Sequence, residues 1–246
     1  MAKKYYVVWT GHEPGIYEDW GSCKNQVHGF PGARYKSFPS LAEAKAALSE
    51  GATVTPKKRQ TKKSEESATA ANAEGFDVAI YCDGACEPNP GEAGSGAAVY
   101  RQGRLAELWY GLYNPQGTNN TAELSALHQS LLMAEKAAQA GESVVVLCDS
   151  KYAIDCISKW AYGWKSNGWK KKSGEIKNLD MIKEIHALYN RIKDSFTLSH
   201  VRGHVGIEGN ELADRMTMLA IDEKTIEFCQ YNGAHDIPTL LKMRAG

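Results

Sequence analysis

The sequence predicts an α/β protein, a mixed sheet flanked by helices, preceded by a small α+β module. Three observations carry this reading. Strand patterns over 78–82, 95–100 and 105–112 are joined by Gly-rich turns, and helical and strand patterns alternate after them. Residues 143–148 form a continuous apolar run, as a central strand covered on both faces requires. Residues 52–75 break the pattern, with one aliphatic side chain larger than Ala and no aromatic. That stretch cannot offset its own ordering entropy and reads as a flexible linker. The expected segments are a module at 1–51, the linker at 52–75, a main domain at 76–222 and an extension at 223–246.

The elements follow in order. Tyr5-Tyr6-Val7-Val8-Trp9 is β-branched and aromatic and reads as a strand. Residues 11–15, with Pro14, make a turn before a short strand at Ile16-Tyr17. Asp19 or Ser22 caps a helix near 20–27, and 33–38 is a third strand. Ser40 and Glu43 form a capping box that opens an Ala-rich helix to about residue 50. In the second segment, helices are expected at 121–139, 152–160, 179–193 and 210–220, with a strand at 196–201. Beyond residue 221 no periodicity is visible.

Composition narrows the function classes. The chain has 246 residues, 43% of them hydrophobic, which is globular. Lys+Arg 29 balances Asp+Glu 29, so no global basic field marks a polyanion partner. By segment, residues 1–51 carry six basic and five acidic side chains, 52–75 five and three, and 76–246 eighteen and 21. The Lys57-Lys58-Arg59 run reads as a soluble tether that attracts phosphates, with a nuclear signal as the alternative. No apolar run approaches the ~20 residues of a membrane helix, and no secretory signal is visible. The six cysteines are scattered without a CxxC pair, against a zinc module or a disulfide scaffold. A monomer in the reducing cytoplasm is expected.

Four carboxylates stand at unusual places. Asp83 and Asp149 each follow an apolar strand, Val78–Cys82 and Val144–Cys148. Glu123 lies near the start of the long helix and Asp214 within the last one. Sites in α/β sheets form outside the carboxyl ends of strands. Two aspartates there, on adjacent strands, bring their carboxylates together, and like charges do not both stay ionised without a cation. Hard oxygen donors suit Mg²⁺ or Mn²⁺. Each residue also has a local reading: Asp83-Gly84 as a turn, Asp149 as a helix cap, Glu123 as capping partner of Asn120, and Asp214 on a solvated face. His204, between Gly203 and Gly206, is either an exposed loop residue or a mobile proton shuttle beside the acidic cluster.

Taken together, these residues resemble type 1 ribonuclease H. The matching elements are Asp83-Gly84-Ala85-Cys86 with Asn89-Pro90-Gly91, Thr118-Asn119-Asn120-Thr121-Ala122-Glu123-Leu124, Cys148-Asp149-Ser150-Lys151-Tyr152, and Gly203-His204 followed by Asn210-Glu211-Leu212-Ala213-Asp214. Their order and spacing agree from about residue 77 to 220. The resemblance implies a ribonuclease H-like five-stranded mixed sheet flanked by helices. It implies that Asp83, Glu123, Asp149 and Asp214 hold two Mg²⁺, for which Mn²⁺ can substitute, and that His204 assists catalysis and product release. The implied reaction is endonucleolytic hydrolysis of the RNA strand of an RNA/DNA hybrid, leaving 5′-phosphate and 3′-hydroxyl ends. Asn89, Asn119 and Asn120, with Cys86 and Thr118, match positions against the substrate strands.

Residues 159–172 concentrate three Trp and five Lys in a domain of otherwise acidic balance. The stretch looks like the basic handle of many family members, with Trp160, Trp164, Lys165 and Lys170 as candidate contacts; the alternative is a helix end with core tryptophans and solvated lysines. Residues 4–49 resemble the hybrid-binding domain at the front of many type 1 ribonucleases H. There Trp20 and Tyr35 match aromatics that pack on DNA sugars, and Tyr6, Arg34 and Lys36 match flanking contacts. Ser37 stands where some relatives carry a second Lys. Two other functions compete: a non-catalytic hybrid-binding adaptor, and another nuclease or integrase on a related fold.

Overall fold

A computed structural model describes residues 4–27, 30, 33–49 and 73–246. The linker expected at 52–75 falls outside the described residues up to 72. Two units form, Met1–Lys63 and Ser64–Gly246.

In the first unit, β1 (Tyr5–Thr10) is the middle strand of a three-stranded antiparallel sheet. It pairs with β2 (Gly15–Tyr17) on one side and β3 (Arg34–Phe38) on the other. Alternation along β1 sends successive side chains to opposite faces. Val8 packs with Cys23 and Val27 of α1 (Trp20–Val27), while Trp9 donates its indole N–H to Ala47 O of α2 (Leu41–Ser49) at 3.0 Å. Asp19, not Ser22, caps α1, accepting from Ser22 N at 2.9 Å. Ser40 caps α2, its Oγ accepting from Glu43 N at 3.3 Å and donating to Glu43 Oε1 at 3.2 Å, so the Ser40–Glu43 pair expected at this helix start is in place.

The second unit is a mixed sheet of order β8-β7-β4-β5-β6-β9. Its strands are β4 (Val78–Glu87), β5 (Gly91–Arg101), β6 (Arg104–Gly117), β7 (Val144–Cys148), β8 (Thr197–His200) and β9 (Cys229–Gln230). The expected five strands thus gain a sixth, two residues long, contributed by the extension. The helices are α3 (Asn119–Gln139), α4 (Lys151–Asp155) running through a π turn (Cys156–Trp160) into α5 (Ala161–Ser166), α6 (Leu179–Ile192), α7 (Glu208–Asp222) and α8 (Ile237–Leu240).

The apolar run of β7 is buried throughout. Its alternation splits the core in two. Val146 joins Ile80, Leu127, Leu131 and Ile185 under α3 and α6. Leu147 joins Tyr81, Leu108, Leu212 and Met216 under α7. Each such side chain contributes about 1.5–3 kcal/mol by leaving water. None of the described helices is long and apolar enough to cross a membrane.

Candidate active site

The site begins where one ladder stops. β4 and β7 pair in parallel from Val78↔Val144 to Cys82↔Cys148, and the next residues are Asp83 and Asp149. The expected end of β4 at Asp83 is not observed. Its antiparallel pairing with β5 continues to Glu87↔Glu92, so Asp83-Gly84 is strand and not turn. Gly84 allows α3 to press on this strand: a Cβ there would lie 2.2 Å from Ala122 C and 2.3 Å from Glu123 N.

The local readings of the other three carboxylates give way to specific neighbours. Thr118 caps α3, accepting from Thr121 N at 3.2 Å, so Asn120 is no cap and Glu123, one turn in, is no capping partner. Ser150 caps α4, accepting from Ala153 N at 3.1 Å, so Asp149 is not the cap of that helix. Asp214 is 1% exposed and lies on no solvated face.

A cavity of about 410 Å³ collects the result. Asp83, Glu123, Asp149 and Asp214 all line it, together with His204, Cys86 and Asn119. Asn89, Thr118 and Asn120 are not in its wall. Asn89 Oδ1 accepts from Asn119 N at 3.3 Å, Thr118 is the α3 cap, and Asn120 is exposed in the first turn of α3. The Cys86 thiol is turned to Pro88 O at 3.3 Å.

Residues with no role expected from the sequence hold the carboxylates. Ser150 Oγ donates to Glu123 Oε2. Buried Asn210 donates from Nδ2 to Asp149 Oδ2 at 3.2 Å, and its Oδ1 has no partner. Thr217 Oγ1 reaches Asp83 O at 3.1 Å and ties α7 to β4. Arg215 Nη1 pairs with Asp214 Oδ2. Asn210 stands four residues before Asp214, one helical turn, which is the spacing that could have marked it.

The electrostatics are those of crowded anions. Burial, then the charges of Asp149 and Asp214, push the Asp83 carboxyl well above the usual range. Burial also raises Glu123, against the Ser150 hydrogen bond. It raises Asp214 too, opposed by the Gly246 amide, Arg215 and His204. Among the described residues, no three His, Cys, Asp or Glu side chains are drawn into a ready-made ion cage. The donor set is nonetheless all oxygen and excessively negative, which fits a hard divalent cation. His204 sits at the lip, exposed, with a φ of 53° that a non-glycine residue rarely adopts.

The basic stretch divides between its two readings. Trp164 and Trp169 are half-buried against the core, whereas Trp160 is 42% exposed and Lys165, Lys170, Lys171 and Lys172 face solvent. The π turn is held by buried His186, whose Nδ1 lies 2.7 Å from Ile157 O while Asn190 Nδ2 faces Nε2 at 2.8 Å. Asn190 donates, so Nδ1 carries the imidazole proton. In the first unit Trp20 lies between Tyr6 and Tyr35, each ring pair 5.6 Å apart, with Trp20 44% and Tyr35 47% exposed. Lys36 Nζ is 5.5 Å from the Phe38 ring centroid.

A family model described as RNase H matches residues 76–222, and one described as Ribonuclease H1 N-terminal domain matches residues 4–48. The Ribonuclease H of Pseudomonas putida (strain W619) is 38% identical over 147 residues, 59% of this chain and 94% of its own length. That of Pseudomonas entomophila (strain L48) is 40% identical over 147 residues, again 59% and 94%. The crystal structure of LC9-RNase H1, a type 1 RNase H with the type 2 active-site motif, aligns with a TM-score of 0.52 at 25% identity, covering 68% of this chain and 85% of that one. Fold and pocket, with these relatives, define a hydrolytic nuclease. The match at 76–222 spans more than half of the chain: the protein belongs to the RNase H family.

Proposed function

We propose that the protein is an endoribonuclease that hydrolyses the RNA strand of RNA/DNA hybrids, leaving 5′-phosphate and 3′-hydroxyl ends. One observation carries this reading: a single cavity gathers Asp83 of β4, Glu123 of α3, Asp149 at the end of β7 and Asp214 of α7, with His204 at its lip. Asp83, Glu123, Asp149 and Asp214 would hold two Mg²⁺, or Mn²⁺ in their place. When bound, such ions supply a Lewis acid for the attacking water and for the departing 3′ oxygen.

The chain's own residues do the rest. Ser150 and Asn210 fix the orientation of Glu123 and Asp149 by hydrogen bonds that metal ligands ordinarily require. His204, reachable by solvent, passes a proton between the cavity and water as the P–O3′ bond breaks. Asn119 on the wall, with Asn89 bound to its amide, presents neutral donors and acceptors to sugar 2′-hydroxyls, the groups that distinguish RNA.

Binding is shared between two further regions. Trp160, Lys165 and Lys170 grip phosphates and sugars from the handle, over Trp164. Tyr6, Trp20, Arg34, Tyr35 and Lys36 hold the hybrid from the module at 1–51, on a tether at 52–75 that raises local substrate concentration. The protein acts as a monomer in the cytoplasm.

Cleavage of matched RNA/DNA, RNA/RNA and DNA/DNA duplexes, with Mg²⁺ or with EDTA, tests this. Cutting confined to the RNA of the hybrid and abolished by EDTA is expected. Cutting of DNA/DNA, or hybrid binding without any cutting by the intact chain, overturns it.

A further inference from the structure

Residues 229–246 run from the sheet edge to the acidic cavity. Leu240 is buried in the core under α7, Arg215 Nε donates to Leu241 O at 3.4 Å, and Arg244 pairs with both Glu87 and Asp222. These contacts bring Gly246 to the cavity wall. Its amide nitrogen lies 3.0 Å from Asp214 Oδ1 and 3.3 Å from Oδ2. One N–H therefore sits between both oxygens of the carboxylate, while Arg215 takes Oδ2 as well. The fit is tight, since a Cβ on residue 246 would come within 2.8 Å of Asp214 Oδ1 and 3.2 Å of Met218 Sδ.

We infer that residues 242–246 form a strap that competes with divalent cations for Asp214. This rests on the assignment of Asp214 as a metal ligand made above. A carboxylate has about four lone-pair sites; at Asp214 the shared Gly246 N–H and the Arg215 guanidinium take three of them, unlike the single hydrogen bonds that orient Glu123 and Asp149. The Gly246 amide occupies the cleft between the oxygens, and the Arg215 guanidinium adds positive charge where a cation would approach. The ion pairs of Arg244 hold that arrangement, one of them to Glu87, itself in the cavity wall. Metal binding at Asp214 then requires the strap to withdraw, so that apparent affinity is reduced by the fraction of molecules with the strap open. A strap that merely oriented Asp214 would do the reverse, since its release would weaken binding.

The test is Mn²⁺ binding to the full chain without nucleic acid, read by the electron paramagnetic resonance of free Mn²⁺, for the parent, Arg244→Ala, Arg244→Glu and Asp83→Asn. Arg244 is at the surface, and Glu at 244 faces Glu87 and Asp222 with like charge. Removing an interaction of ordinary strength corresponds to about a threefold to tenfold change. Arg244→Ala is expected to bind Mn²⁺ at least about threefold more tightly, and Arg244→Glu more tightly still. Saturating Mg²⁺ is expected to speed amide hydrogen exchange at 242–246 in the parent. Equal or weaker Mn²⁺ binding by both Arg244 variants, with Asp83→Asn binding impaired, overturns the strap and leaves the proposed function standing. Undiminished binding by Asp83→Asn overturns the metal assignment and the strap with it.

Discussion

Cys82 and Cys148 face each other across the parallel ladder of β4 and β7, and the residue after each is an aspartate in the cavity wall. Both cysteines are buried on the α3 side of the sheet. Strand alternation turns the following side chain the other way, so the hydrophobic register of two core strands also sets where two anions lie. The fold thus forces a repulsion that the site must relieve.

That repulsion has a measurable sign. The Asp83 carboxyl is raised by burial and by its charged neighbours. A carboxyl raised in the folded state favours folding below its unfolded value, about 4, and that contribution is lost as pH rises through the folded value. At neutral pH without divalent cations, Asp83 therefore destabilises the protein. Asp83→Asn keeps an oxygen for the Gly84 N–H, now 2.8 Å away. Its Tm in EDTA at pH 7 is expected to rise by about 2–4 °C, the shift that ~1 kcal/mol produces in a domain of this size. Hybrid cleavage should be lost while hybrid binding remains. Wild-type turnover in this variant would remove Asp83 from the metal site.

Asn210→Ala removes the donor to Asp149 Oδ2 and also the partnerless Oδ1. Stability should change little, because an unsatisfied buried acceptor goes with the lost hydrogen bond. Mg²⁺ should be required at about 10–100-fold higher concentration for half-maximal cleavage, the usual cost of losing such support. An unaltered Mg²⁺ dependence with a large fall in Tm would make Asn210 a core residue only.

His204→Ala is expected to slow turnover by about 10–100-fold, less than loss of a metal ligand, because proton transfer is one contribution among several. The measurement is single-turnover cleavage against steady-state rate. The fold of the cavity should not change, since His204 is exposed at its lip. Unchanged rates would make it a bystander.

Most of the sheet was legible because burial writes itself as periodicity. The continuous apolar runs of β7 and of β4 up to Cys82 named both strands. Asp214 was ambiguous because a helix has a solvated face, and Glu123 and Asp149 because a carboxylate beside a helix start can always be a cap. What separated them was Thr118 and Ser150, which do the capping instead. The extension was illegible for a physical reason. A two-residue strand and a four-residue helix are shorter than the windows in which periodicity can be read. Its contacts with Arg215 and Asp214 lie far apart in sequence, and no local pattern announces them.

The handle separates binding from stability. Lys165 and Lys170 are exposed, so replacing both with Ala should leave Tm within about 1 °C and weaken hybrid affinity. The slope of log affinity against log salt should fall by about one for each phosphate that the variant no longer neutralises. Trp164→Ala should act differently, lowering stability by about 2 kcal/mol, because its ring packs against the core. An unchanged salt slope in the double Lys variant would assign the stretch a structural role alone.

The N-terminal unit offers an aromatic step, half-buried Tyr6 with exposed Trp20 and Tyr35, on a sheet whose core is small side chains: Val8, Cys23 and Val27, with Val7, Ala44 and Ala47 also buried. Exposed rings at this density cost solubility unless they bind, and ring contacts on a nucleic-acid strand contribute about 1–3 kcal/mol each. Trp20→Ala in the full chain should therefore weaken hybrid binding by about 5–100-fold, by fluorescence anisotropy, with little change in single-turnover cleavage at saturating enzyme. Deleting residues 1–75 should weaken binding at least as much and leave cleavage in place, since the four carboxylates and the whole cavity wall lie within 83–246. The deletion should also shorten the run of cuts made per encounter, because the tether no longer returns the catalytic domain to the same hybrid. If the truncated protein binds hybrid as tightly as the full chain, the aromatic step serves another partner.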